Sequence, residues 1–344
     1  MKSFSTQASL SPQAFVDQVI GHSDDHSAFD NATASGFGEA PVNIALSKYW
    51  GKRETTLNLP VNGSVSISLP GLGTQTEITF SQGEQDQIVL NDQMLEPHVT
   101  FAKRLSAFLD FFRPNELTVF QVDTLNSVPT AAGLASSASG YAALVLALND
   151  LFQWDLSDQK LSLLARLGSG SASRSLFPGF AVWHVGSQED GMDSYAEAIE
   201  TQWPELCIGL VKVDVSEKAM SSTAGMQQTV NTCELYQAWP EKAEKDIEIV
   251  QQAIKTKDFT LLGKTAENNA LSMHATMMAT WPPIVYWQPE SVAAMHAIWQ
   301  LRQQGIEVYF TMDAGPNLKL LFLETEKPAI MQAFEGLQVI QPFK

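Results

Sequence analysis

The stretch Pro129 to Gly140 reads PTAAGLASSASG and runs directly into the apolar segment Tyr141 to Phe152. Before it, Leu117 to Leu125 (LTVFQVDTL) alternates apolar residues as a strand does, so the glycines and serines sit where a strand gives way to a helix. Such a junction suits a phosphate. Gly133 and Gly140 allow close backbone approach and Ser136 and Ser137 supply hydroxyls, while the free N–H groups and positive dipole end of the new helix favour an anion. An ordinary serine-capped helix start is the alternative, and the motif alone does not separate the two.

A chain of 344 residues is long enough for two domains and a sizeable core, and 44% hydrophobic against 17% charged residues mark a globular protein. No run of about 18 apolar residues occurs, and Met1 to Leu10 has one lysine and no apolar segment before a cleavage site. The expectation is a cytoplasmic protein. Cys207 and Cys233 are too few for a disulfide framework and lie in no CxxC pair or spaced His cluster. The formal charge of −17 repels nucleic acid and anionic membrane surfaces, which argues against both as partners. Lys48, Lys52 and Arg53 stand out against that background, either as cations converging on an anionic substrate or as a solvated basic turn.

Residues 1–38 read as an appendage: Ser11 and Pro12 cap and start a short helix to Ile20, and a polar stretch follows from Gly21 to Gly38. From Pro41 the chain takes on folded character. Strands are expected over Val65 to Leu69, Glu77 to Phe80 and Gln87 to Leu90, and a helix over Pro97 to Phe112. A helix at Asp158 to Leu167 leads to the small-residue stretch Gly168 to Ser173, which ends in Arg174, and Phe180 to Val185 and Leu206 to Val215 read as strands. Helices are expected over Ala219 to Thr229, Glu241 to Ile254, Thr260 to Met278 and Ser291 to Gln303, then strands at Glu307 to Met312 and Leu318 to Leu323. Asp313 closes the first of these two strands and opens the turn DAGPN, where its carboxylate serves either as a general base projecting into a cleft or as a turn cap. Trp50, Trp183, Trp281 and His274 read as core or pocket-wall residues.

The blocks APVNIALSKYWGKR (Ala40 to Arg53), VPTAAGLASSASG (Val128 to Gly140), GSGSASRS (Gly168 to Ser175), SSTAGMQQT (Ser221 to Thr229) and MDAGPN (Met312 to Asn317) occur in that order. Together they resemble the diphosphomevalonate decarboxylases of the GHMP kinase superfamily, and the likeness covers about residues 38–325. GLxSSA alone is shared across the superfamily; the KYWGK and GSGSxxRS blocks narrow it.

The resemblance implies an α+β, two-domain GHMP-kinase-like fold. A ribosomal S5-like N-terminal domain that binds ATP would span 39–203 and a ferredoxin-like C-terminal domain 204–344, after an N-terminal extension over 1–38. It implies ATP-dependent decarboxylation of mevalonate 5-diphosphate to isopentenyl diphosphate through phosphorylation of the 3-hydroxyl, with ATP and Mg²⁺ as cofactors and a homodimer as assembly. By resemblance Asp313 is the base and Lys48 the catalytic lysine. Asn43, Tyr49, Lys52, Ser169, Gly170, Ser171, Arg174 and Thr223 hold the substrate, with Arg174 as the fork for its carboxylate. Pro129, Ala131, Gly133, Leu134, Ala135, Ser136, Ser137 and Ala138 match the phosphate loop, where Ser136 or Ser137 meets Mg²⁺.

The chain departs from the family pattern at Gly63, where Asn-Ser-Ser is common, at Pro178 before Gly179, and in its first 38 residues. His98 falls near the place where eukaryotic members carry an arginine for the phosphate tail. A mevalonate 5-phosphate decarboxylase or a mevalonate 3-kinase therefore stands as the near alternative, and a non-catalytic ligand-binding relative as the remote one.

Overall fold

The protein was analysed as a computed structural model, which describes residues 10–21, 29–128, 136–214 and 220–344. The chain order is α1 Pro12–Ile20, β1 Ser35–Ser47, β2 Lys52–Glu54, β3 Leu59–Pro60, β4 Ser64–Phe80, β5 Gln87–Leu90, β6 Gln93–Met94, α2 Thr100–Leu109 and β7 Phe120–Asn126. Then follow α3 Ser136–Phe152, α4 Asp158–Gly168, β8 Phe180–Trp183 and β9 Ala196–Ile199. The second domain is built from β10 Leu206–Val211, α5 Ser222–Thr232, α6 Trp239–Thr256, α7 Phe259–Met278, α8 Pro289–Gln303, β11 Val308–Met312, β12 Leu318–Leu323, α9 Lys327–Ala333 and β13 Gln338–Ile340.

The first sheet has the order β6-β5-β7-β4-β8-β9 with β1 on β4, and the second has the antiparallel order β11-β12-β10-β13. In the first sheet β5 and β7 run parallel and every other pair is antiparallel. Among the described residues no helix is long and apolar enough to cross a membrane.

Two expected strands, Val65 to Leu69 and Glu77 to Phe80, are parts of the single strand β4. Its register against β1 shifts where Pro41 faces Gly73 but Val42 faces Leu69. Pro70, Gly71 and Leu72 are thus extra on one side, and Gly71 takes φ +76°, so the strand bends through a bulge instead of ending.

Within the stretch that the sequence suggests is an appendage, the described residues 10–21 and 29–38 pack into the first domain. Strand β1 begins at Ser35, and Gly36 and Gly38 lie so close to α3 that an added Cβ would sit 2.1 Å from the carbonyl oxygens of Ala147 and Ala143. These glycines look like linker in the sequence because the backbone contact leaves no room for apolar side chains. Helix α1 forms where the local signals place it, with Ser11 accepting from the Ala14 N–H, Pro12 in the first turn and Gly21 at φ +88° after the end. It buries Phe15, Val16 and Val19 in the core beneath α2, α3 and α4. The guanidinium of the fully buried Arg166 in α4 lies 5.0 Å from the Phe15 ring centroid.

A second core runs continuously through both domains: Val42, Ile44, Leu46, Val65 and Ile67 of the first sheet pack with Ile247, Val250, Leu262, Phe310 and Leu320 of the second domain. An apolar interface of this kind opposes free hinge motion and fixes the cleft between the domains. Phe15→Ala should destabilise the chain by about 3–5 kcal/mol in urea unfolding, the usual cost of emptying a buried aromatic site. A loss below about 1 kcal/mol would show that α1 does not belong to the core.

Candidate active site

The site forms where β1 and β11 end beside each other. Lys48 follows the last residue of β1; its backbone N–H donates to Asn269 Oδ1 of α7 at 2.8 Å, and its Nζ donates to the Ala45 carbonyl at 2.8 Å. The same Nζ lies 2.8 Å from Asp313 Oδ1, and Lys319 Nζ of β12 lies 3.0 Å from Asp313 Oδ2. Both lysine side chains are 2% exposed while that of Asp313 keeps 27%, so the carboxylate faces the cleft, with Lys48 beside it in the lining and Lys319 behind it. Burial alone would raise the Asp313 carboxyl, but Lys319 and Lys48 outweigh it and hold it far below the ordinary carboxylate range. Burial lowers Lys48 to about 8 against the opposing pull of Asp313. His274 approaches from α7, its Nε2 3.0 Å from the Asp313 carbonyl oxygen, and burial lowers it to about 3. It is a neutral core residue, as its sequence setting suggests.

Opposite Asp313, the 3₁₀ turn Gly170–Arg174 continues from the end of α4. The buried Arg174 donates through Nη1 to Ser64 Oγ and through Nη2 to Asn43 Oδ1 at 3.2 Å, and its Nε has no partner. Asn43 in turn donates to Ser175 Oγ at 2.7 Å and to the Ser171 carbonyl at 3.2 Å. The guanidinium is thus fixed by neutral groups, with no ion pair among the described residues and a donor to spare. Burial lowers Arg174 to about 10 and Asp313 opposes the shift, which leaves it charged at neutral pH.

Tyr49 stacks edge-on against Trp183 with ring centroids 4.8 Å apart, and its buried hydroxyl has no partner. Burial, its largest influence, raises Tyr49, so it stays a hydrogen-bond donor. Gly170 is required beside this pair, because a Cβ there would lie 2.9 Å from Trp183 Cη2 and 3.1 Å from Tyr49 Cε1. Lys52 Nζ donates to Asn58 Oδ1 at 2.6 Å, and Asn58 is anchored on the Arg166 and Leu167 carbonyls.

These groups line one cavity of about 830 Å³, well within the ~300–1,000 Å³ range of small-molecule sites. Asn43, Lys48, Tyr49, Lys52, Ser169, Gly170, Ser171, Arg174, Thr223 and Asp313 all face it, as does Ser137. Thr223 sits in the first turn of α5, which Ser221 caps. Ala138 is buried in α3 away from the lining. Pro129, Ala131, Gly133, Leu134 and Ala135 lie outside the described residues, as does the side chain of Ser136. So does Ala219, the expected start of the helix that begins at Ser222.

The sequence reading missed Lys319, Asn269, Asn58, Ser64 and Arg104. Lys319 had a signal, being the one charge in the strand LKLLFL directly after the DAGPN turn. Arg104 lies on α2 at the border of the cavity and a smaller apolar pocket of about 230 Å³, whereas His98 is exposed and lines neither.

Residues 40–196 match the family model "Diphosphomevalonate decarboxylase-like N-terminal domain" and residues 208–341 the model "Mevalonate 5-diphosphate decarboxylase C-terminal domain". The diphosphomevalonate decarboxylase of Gibberella zeae is 38% identical over 331 residues, covering 89% of this chain and 85% of the relative. The chain belongs to the diphosphomevalonate decarboxylase family. A solved complex described as MDDEF with MVAPP, AMPPCP and magnesium superposes on this decarboxylase fold with a TM-score of 0.84 at 41% identity, over 90% of this chain and 96% of that one. The mevalonate diphosphate decarboxylase of Enterococcus faecalis, solved for its mevalonate diphosphate-mediated ATP binding, gives a TM-score of 0.83 at 41% identity, over 90% and 96%. These likenesses carry the two-domain α+β fold that the sequence resemblance implies.

Asn269 joins the domains by holding the Lys48 N–H while donating to Asp246 Oδ2 at 2.7 Å. Asn269→Ala leaves that buried N–H without an acceptor and should cost about 1–3 kcal/mol in urea unfolding. An unchanged midpoint would mean that the Lys48 loop finds another anchor.

Proposed function

We propose that the chain catalyses the ATP-dependent decarboxylation of mevalonate 5-diphosphate to isopentenyl diphosphate, a step of isoprenoid biosynthesis. The observation that carries this reading is the convergence of the buried cations Lys48, Lys319 and Arg174 on the carboxylate of Asp313, at the wall of a cavity in a chain of net charge −17. Such a site is completed by anions, and a phosphoryl group and a substrate carboxylate supply them.

The chemistry follows from the arrangement. Asp313 accepts the 3-hydroxyl proton as that oxygen attacks the γ-phosphorus of ATP, forming the phosphate ester and releasing ADP. Lys48 steadies the carboxylate and offsets negative charge on the phosphoryl group in transfer. The C3–O bond then breaks with its electron pair going to the departing phosphate. The bond between C2 and the carboxyl carbon breaks in turn, its electrons form the C2–C3 double bond, and carbon dioxide leaves. Arg174, held by Ser64 and Asn43, orients the carboxylate through its spare donors and has no proton to give. Tyr49 and Lys52 serve the diphosphate, Ser169, Gly170 and Ser171 cradle the other end of the substrate beside Arg174, and Thr223 lies near it.

For the nucleotide, the smaller pocket offers Phe101, Leu105, Val122 and Leu144 to a planar base and opens beside Ser137 and the start of α3. Among the described residues no His, Cys, Asp and Glu group of metal-binding size occurs, which fits an Mg²⁺ held chiefly by ATP phosphates and one hydroxyl, Ser136 or Ser137. Bound Mg²⁺ neutralises charge on the transferred phosphates. Residues 39–203 thus hold ATP, and residues 204–344 contribute the base. The free thiols of Cys207 and Cys233 support a cytoplasmic setting, and the exposed apolar Trp281, Val285 and Leu235 support pairing as a homodimer.

Retention of Asp313 and of the fixed, unpaired Arg174 favours the full reaction over a kinase that stops at the phosphate ester. Asp313→Asn should fold, bind mevalonate 5-diphosphate in calorimetry within about threefold of the native chain, and lose turnover by about 10²-fold or more. Native turnover in that variant would remove Asp313 from the chemistry. Lys48 acts as a cation with a pKa of about 8, so rising pH removes its charge and kcat should decline above about 8. A flat profile to pH 10 would show that its charge is not required.

A further inference from the structure

Asp313 is tethered at both oxygens, and the two tethers differ in origin. Lys48 reaches Oδ1 from the first domain. Lys319 reaches Oδ2 from β12, which pairs with β11 in the register Thr311↔Lys319 and Met312↔Leu318, so the DAGPN turn returns the chain to place Lys319 beside the residue six positions earlier. A carboxylate with one partner turns broadly about its last bond, whereas two partners on separate oxygens fix its plane. Lys319 is 2% exposed and is not among the residues that line the cavity, and it meets the base at Asp313 Oδ2.

We propose that Lys319 is a positioning residue for phosphorylation: it pins Oδ2 and sets the carboxylate plane toward the cavity without occupying ligand space. This goes beyond the reading above and rests on Asp313 accepting the hydroxyl proton. Among the described residues the charged and titratable groups around Asp313 are Lys48 on the loop after β1, Lys319 on β12, Arg174 on the 3₁₀ turn and His274 on α7. Burial keeps His274 neutral at working pH. Removing Lys319 leaves Lys48 as the direct partner, and the Asp313 pKa must rise.

The test is steady-state kinetics of Lys319→Met in the native and Asp313→Asn backgrounds at pH 7. In the native background kcat should fall at least about tenfold with KM for both substrates within about threefold. Lys319→Arg, which keeps a cation at Oδ2, should recover most of kcat. In the Asp313→Asn background Lys319→Met should change residual turnover by less than about twofold, since its effect passes through the carboxylate. The proposal is overturned if Lys319→Met matches the native rate, raises KM while leaving kcat unchanged, or costs the same factor in both backgrounds. If residual Asp313→Asn turnover is too low to follow, the split between kcat and KM and the rescue by Lys319→Arg decide. If Lys319→Met does not fold by circular dichroism, Lys319→Gln and Lys319→Arg carry the same comparison. Native turnover of Asp313→Asn alone would instead defeat the assignment of Asp313 as base.

Discussion

The ion pairs of Asp313 with Lys48 and Lys319 are the constraint on which the site depends. Each lysine is 2% exposed, and a buried ammonium is tolerated only with a counter-charge and satisfied donors. Asp313 supplies the charge to both, and Ala45 supplies a further acceptor to Lys48. Because Lys48 belongs to the first domain while Asp313 and Lys319 belong to the second, the electrostatic requirement couples to domain docking. The continuous apolar core along β1, β4, α6 and α7 fixes that docking. Lys48 and Arg174 line the same cavity as Asp313, so the site presents cationic groups to a space that admits water and anions.

What could be read from the sequence divides along the range of the physics. Helix α1 was legible because Ser11 and Pro12 at its start and Gly21 at its end each act on the adjacent turn. Strands β12 and β5 have the bounds expected from the short apolar runs Leu318 to Leu323 and Gln87 to Leu90. The start of β1 was not legible, because Gly36 and Gly38 are small for the sake of a helix more than a hundred residues away. The bulge at Pro70 to Leu72 likewise looks like a strand end until the partner register is known.

The site divides in the same way. Residue types and spacing left Asp313 open between base and turn cap, and Lys48 open between ligand and solvated turn; the family resemblance joined them, and the 2.8 Å contact gives that pairing its geometry. Lys319 and Asn269 act on residues far along the chain, and only the fold brings them in. Gly63, a departure from the family pattern, has a local account. A Cβ there would lie 2.6 Å from the Trp183 carbonyl oxygen, and its N–H donates to Glu244 Oε1 of α6 at 2.6 Å. Lys52, Tyr49 and Arg104 line the cavity, whereas His98 lies outside its lining.

The most direct measurement supplies the purified protein with ATP, Mg²⁺ and either mevalonate 5-diphosphate or mevalonate 5-phosphate, and follows ADP and carbon dioxide together. Equal amounts of both products from the diphosphate are the predicted result. ADP without carbon dioxide, or both products from the monophosphate alone, would contradict it.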